Sequence, residues 1–177
     1  MSPSALPVPI LGERIALRHF RRPDLPRVMA WRNDPQVRAG ALWGEGTFGA
    51  REAERWLRAI SSARTRLTLG VELRHEGRLV GLTNLSGIDG GAGTAHFGIV
   101  VGDKECWGRG IARETLALMM ERATAMGLRR VLLEVARDNA RALALYEHFG
   151  FAIDRLVTRR HGSRLIELTI MSLRLPR

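Results

Sequence analysis

The chain has 177 residues, 45% hydrophobic and 26% charged. That suffices for one domain, residues 1–177, with a buried core, and is ordinary for a globular protein. The single cysteine excludes an internal disulfide and a cysteine-based zinc site, so no metal is expected. No apolar run reaches the length of a membrane span, and residues 1–10 lack the charged-then-apolar order of a secretory signal, so a cytoplasmic protein is expected.

The formal charge is +10, carried by 27 arginines and one lysine, Lys104. The arginines are scattered, in pairs such as Arg21-Arg22, Arg129-Arg130 and Arg159-Arg160. A nucleic-acid surface gathers its charge and interleaves aromatics, so the bias reads as a habit of composition. A positive field still draws anionic ligands.

In chain order, residues 1–10 read as a loose lead with three prolines. Residues 14–20 alternate apolar and polar and predict a strand. Asp24 is placed to cap a helix carrying Leu25, Val28, Met29 and Arg32, which Pro35 ends. Residues 40–49 form a glycine-rich loop. Residues 50–64 predict an amphipathic helix with Ala53, Trp56, Leu57 and Ile60 on one side. Strands are expected at 67–74 and 79–84, joined by a turn at His75-Glu76-Gly77-Arg78. A further turn, 89–93, leads to a strand at 96–101.

That strand runs into Asp103-Lys104-Glu105-Cys106-Trp107-Gly108-Arg109-Gly110-Ile111-Ala112, and a helix over 111–125 runs out of it. Gly108 and Gly110 allow a sharp turn and close approach of a ligand to the backbone. The first N–H groups of a helix have no intrahelical acceptors and carry the positive end of its dipole. Such a turn is suited to a phosphate or diphosphate, although two glycines also suit a tight turn alone. No Walker sequence is present, and Arg113 stands where a dinucleotide fingerprint needs Gly or Ala. A buried-type strand follows at 130–135, so the strand–helix–strand unit predicts a parallel pair with a right-handed crossover. Asp138 or Asn139 caps a short helix with Ala142, Leu143, Leu145, Tyr146 and Phe149 as its apolar stripe, and Gly150 ends it. Two last strands, 152–159 and 165–173, surround the turn His161-Gly162-Ser163.

Two of these stretches carry a family resemblance. The loop resembles the acyl-CoA loop of the GNAT superfamily of N-acetyltransferases, Gln/Arg-x-x-Gly-x-Gly/Ala. Gly110 and Ala112 fill its last fixed slots, while Trp107 departs from the first. Cys106-Trp107-Gly108 is similar to the aromatic-Trp-Gly run of the RimJ/RimL-type branch, with Cys106 where that branch often has Tyr. "NARALALYEHFGF" resembles the GNAT signature Asn-x-x-Ser/Ala-x-x-Leu-Tyr followed by Gly-Phe, matched by Asn139, Ala142, Leu145, Tyr146, Gly150 and Phe151. "WRNDP" after "LRHF" resembles the opening of the same branch.

The resemblance spans nearly the whole chain. It implies an α+β fold: a mostly antiparallel central sheet with one splayed parallel pair and flanking helices. It implies acetyl-CoA as co-substrate, with pantetheine beside Ile99, Val100 and Val101. The diphosphate would rest on Trp107, Gly108, Arg109, Gly110, Ile111 and Ala112, and Asn139 would also face the cofactor. Trp31, Arg32 and Asn33 would border the acceptor, Tyr146 would act as acid, and His96 would occupy the base slot. Read from the residues alone, Trp31 and Tyr146 are equally core aromatics and His96 a sheet histidine. Glu72 and Glu45 are weaker base candidates. The acceptor is a primary amine: a protein N-terminus, an amino sugar or another small amine. Arg18, Arg21, Arg22, Arg32 and Arg38 in the opening segment point to negative charge near that amine. A non-catalytic acyl-CoA sensor or a basic nucleic-acid binder on the same scaffold stays open, as does a homodimer.

Overall fold

The alternating and apolar runs form β1 (Ile10–Leu11), β2 (Ile15–Arg18), β3 (Arg66–Leu73), β4 (Arg78–Asp89), β5 (Thr94–Val101), β6 (Arg130–Ala136), β7 (Ala152–His161) and β8 (Arg164–Arg174). The helices are α1 (Leu25–Asn33), α2 (Pro35–Ala41), α3 (Ala50–Ser62), α4 (Ile111–Ala125) and α5 (Ala140–His148). The computed structural model describes residues 7–44, 46–161 and 163–176. Glu45 and Gly162 thus lie outside the described residues.

All eight strands join one sheet in the order β1-β2-β3-β4-β5-β6-β8-β7. Neighbours are antiparallel except β5 and β6, which are parallel as expected. That pair keeps register at only Thr94↔Arg130, Ala95↔Val131 and His96↔Leu132. Beyond His96 the two strands part.

Helices cover both faces. On one, α4 buries Ile111, Leu116, Met119, Met120 and Ala123 against Leu17, Leu69, Val71, Leu85, Val131 and Leu133. On the other, Val28 and Trp31 of α1 and Val37 of α2 join Phe20, Leu79 and Leu82, with Trp56, Leu57 and Ile60 of α3 packed alongside. The predicted stripe of α3 is therefore its inner face.

The structure differs locally from the sequence expectations in three places. The lead is not all loose, because Ile10 and Leu11 pair with Leu17 and Ala16. Pro35 ends one helix and begins another: it has no N–H to leave unpaired at a first helical position. The Asp34 carboxylate caps that helix, accepting from Gln36 N (2.8 Å) and Val37 N (3.1 Å). Asp24 does not cap α1, because a 3-10 turn at Arg22–Asp24 already gives it helical backbone angles. Its carboxylate instead accepts Arg21 N (2.7 Å) and the Arg18 guanidinium (2.7 and 2.9 Å). Burial alone would raise the Asp24 pKa, yet these bonds hold it below the ordinary carboxylate value.

The ring of Trp31 packs closely against Gly102, just past the end of β5. A Cβ on Gly102 would stand 2.1 Å from Trp31 Cδ2, so only glycine fits there. Gly102→Ala should therefore displace the ring and destabilise the fold by about 1–3 kcal/mol, as overpacking does. Chemical denaturation checks this, and an unchanged midpoint would mean that the ring moves freely.

Candidate active site

Where β5 and β6 part, a cleft of about 790 Å³ opens. Its floor is Leu82, Asn84 and Ser86 of β4 with residues 96–101 of β5. Val135 and Glu134 of β6 and Asn139, Ala142, Leu145 and Tyr146 around α5 form one wall. The turn into α4 closes one end, and α2 with Leu42 and Trp43 forms the opposite side.

The turn is built from local chemistry. Asp103 accepts Glu105 N (3.1 Å) and is held by the Arg78 guanidinium. Trp107 donates its indole N–H to the Val101 carbonyl (2.7 Å), folding the turn back onto the strand end. Gly108 and Gly110 sit at φ +79° and +77°, the left-handed region that favours glycine. The first intrahelical bond of α4 is Glu114 N to Gly110 O (3.1 Å). The N–H groups of Gly110, Ile111, Ala112 and Arg113 precede it and have no partner among the described residues. This arrangement suits a diphosphate.

Sequence reading missed the outer support of this turn. Arg14 Nη1 donates to the Arg109 carbonyl (2.6 Å), and Arg14 Nε to Glu114 (3.0 Å). Glu114 also accepts Arg14 N (2.9 Å) and Ile15 N (3.3 Å). Arg109 thus contributes a carbonyl to this anchor, and its exposed side chain does not line the cleft. Arg113 and Arg141 do line it, without an acid partner among the described residues, as two further cations.

Ile99, Val100, Val101, Trp107, Gly108, Gly110, Ile111, Ala112, Asn139, His96 and Tyr146 all line the cleft. Asn139 also caps α5, accepting Ala142 N at 3.1 Å. Tyr146 is buried at 7% exposure and packs edge-on to Phe97, with ring centroids 6.4 Å apart. Its hydroxyl has no hydrogen-bond partner among the described residues, and burial pushes its pKa up to about 12. His96 is exposed at the last paired position before the strands part. Cys106 also lines the cleft, and its burial pushes the thiol pKa up. A thiol so placed stays protonated and is a poor nucleophile.

Trp31, Arg32 and Asn33 do not line the cleft. They stand one layer behind it, because α2 takes the place nearest the opening. Trp31 fills the core. Arg32 stacks on Trp43 (4.8 Å) and Phe48 (4.3 Å), and burial, then Arg38, lowers its pKa. Asn33 fastens the Phe48 backbone, accepting its N–H (2.9 Å) and donating to its carbonyl (3.0 Å). Glu72 is not in the cleft either, since Arg18 (2.5 Å) and Arg21 (3.6 Å) hold it as an ion pair. Sequence reading gave no role in this site to the cleft carboxylate Glu134, which is paired with Arg159 at 2.8 Å. Among the described residues no cluster of three or more metal-binding side chains occurs.

A sheet opened between parallel strands, with a phosphate-type turn at one end, can seat an extended anionic cofactor. The chain belongs to the acetyltransferase (GNAT) domain family, whose model matches residues 14–152. It is therefore an acetyltransferase, and acetyl-CoA is the co-substrate of that family. It is 27% identical over 157 residues to the L-methionine sulfoximine/L-methionine sulfone acetyltransferase of Pseudomonas paraeruginosa, covering 86% of this chain and 90% of that one. Spermidine N-acetyltransferase from Vibrio cholerae, solved with CoA and spermine, superposes with a TM-score of 0.81 at 23% identity, covering 92% and 96%. A GNAT-family acetyltransferase from Bacillus anthracis gives 0.82 at 20% identity, covering 94% and 98%.

A Cβ on Gly110 would stand 2.9 Å from Arg14 Nη2, so a side chain there strains the backbone and dislodges the anchor. Gly110→Asp should weaken acetyl-CoA binding about tenfold or more, at least ~1.4 kcal/mol by calorimetry. Unchanged affinity in the folded variant would remove the turn from the site.

Proposed function

We propose that this chain is a single-domain cytoplasmic N-acetyltransferase of the RimJ/RimL-type branch that moves the acetyl group of acetyl-CoA to a primary amine by direct attack. The branch assignment rests on the Cys106-Trp107-Gly108 run and the "WRNDP" opening. The observation that carries the mechanism is the Tyr146 hydroxyl: unpartnered, protonated through the neutral range, and facing the cleft where β5 and β6 separate.

In this reading Gly108–Ala112, with the open N–H groups of Gly110 to Arg113, hold the diphosphate, and Arg113 and Arg141 add charge. The acceptor amine must be neutral to attack. His96 takes its proton, directly or through water, as the N–C bond forms. A backbone N–H among Ile99–Val101 donates to the developing oxyanion. As the C–S bond breaks, Tyr146 gives its proton to the thiolate. Cys106, held as a thiol, argues against an acetyl-cysteine intermediate. Glu134 is the second base candidate, favoured by its place on the cleft wall, where the Arg159 ion pair fixes its orientation.

Tyr146→Phe removes only the hydroxyl. It should lower kcat about 10²-fold with acetyl-CoA affinity intact, within the range a general acid contributes. His96→Gln should abolish the acidic limb of the pH–rate profile. A limb that persists transfers the base role to Glu134, whose Gln variant should then remove it.

The basis for acceptor choice changes with the structure. Arg18, Arg21 and Arg22 are tied to Asp24, Glu72 and Glu54; Arg32 is stacked, and Arg38 donates to the Gly44 carbonyl (3.0 Å). The opening segment is thus a less open anion field than its arginine count suggests. The cleft itself is poor in acid: Glu134 is the one carboxylate among its described lining residues, beside neutral Gln36, Asn84 and Ser86. A polycation would find little to hold it there. An amine with a carboxylate beside it, as in an amino acid of the methionine sulfone type, fits better. Turnover of L-methionine sulfone should therefore exceed that of spermidine at both low and high salt. The opposite order at both salts overturns the acceptor reading.

A further inference from the structure

Lys104 is the sole lysine beside 27 arginines, and it bridges two parts of the cleft. Its ammonium donates to Asp34 Oδ2 (2.7 Å) and to Gln36 Oε1 (2.9 Å). Asp34 caps α2 with its other oxygen, and Gln36 and Val37 line the cleft. On its own side, Lys104 begins the turn that ends in the diphosphate cradle: its carbonyl accepts Trp107 N (3.1 Å), and the preceding Asp103 is held by Arg78. A compact ammonium can address a carboxylate and an amide oxygen together from its tip, where a planar guanidinium would impose its fork.

The far end of α2 is also constrained. Leu42, which follows the helix and lines the cleft, sits at φ 51° and ψ 31°, a left-handed conformation a leucine holds only with support from its surroundings. The α2 side of the cleft is therefore a short helix tied at its start to the cofactor turn and strained at its end.

We propose that Lys104 is a positioning residue: it couples the cofactor turn to α2, so that acetyl-CoA seated on the turn fixes the acceptor-side wall. The inference rests on the acetyl-CoA reading above and adds a regulation of acceptor binding to it. Side-chain exposures of 46% for Lys104 and 26% for Asp34 mark a pair that adds little to global stability. Lys104→Met should thus keep a wild-type melting temperature, which leaves the coupling as the quantity measured.

Hydrogen exchange with acetyl-CoA as the probe tests it. In the wild type, acetyl-CoA should slow exchange both in the turn, 105–114, and in the α2 segment, 36–43. In Lys104→Met the turn should remain protected, while added protection of 36–43 falls by about fivefold or more, the low end of coupling between sites. Lys104→Arg keeps a cation for Asp34 but imposes its fork on the contact with Gln36, and should recover it only in part. If 36–43 is protected equally in Lys104→Met and wild type, or is not protected in the wild type although the turn is, the coupling is refuted while the acetyl-CoA reading stands. No protection of the turn in the wild type would overturn both.

Discussion

The structure depends on one interrupted interaction. β5 and β6 pair side by side for three residues and then stop. Buried backbone groups need partners, so an opening between strands persists only if something else occupies or supports its edges. Here the supports are aromatic. Tyr146 stands between Phe97 on β5 and Phe151 before β7, with centroids 6.4 and 5.8 Å away. At the end of β5 the Trp107 indole takes the Val101 carbonyl. The cleft, the phosphate-type turn and the α2 side of the cleft are arranged around that separation.

Charge in this chain mostly serves geometry. Arg18 bridges Asp24 and Glu72, fixing the turn into α1 against β3. Arg14 and Glu114 fasten the start of α4 to β2 and hold the Arg109 carbonyl. Arg159 reaches across from β7 to Glu134. A formal charge of +10 thus says less about the cleft than the handful of groups lining it. Those groups are unevenly placed: neutral Tyr146 and Cys106 deep in the cleft, Arg113 and Arg141 near the turn into α4, and Glu134 the one acid among the described lining residues.

Much of this was legible in the sequence, because local periodicity and turn chemistry act over a few residues. The stripe of α3, the helix 111–125, the cap at Asn139, the glycines with positive φ and the parallel strand pair all follow from short-range rules. Through resemblance, the two motifs also marked Gly110, Asn139 and Tyr146, which the fold brings into one cleft. The helix α2 escaped notice because Pro35 reads equally as a stop and as a start, and only the Asp34 cap decides between them. The placement of Trp31, Arg32 and Asn33 behind α2, away from the cleft, follows from that missed helix.

What tertiary structure alone decided is which distant groups meet. Arg14 and Glu114 are 100 residues apart, and Lys104 and Asp34 are 70 apart. Nothing in either local stretch announces its partner, since such contacts are set by strand register and by where each helix crosses the sheet. Glu134 is of the same kind: alternation along β6 says that it shares a face, but the parting of β5 from β6 makes that face the wall of a cleft. The sequence by itself determined the elements, their caps and the turn. The packing of those elements decided which charges are neutralised, which side chains reach the opening and which stand behind it.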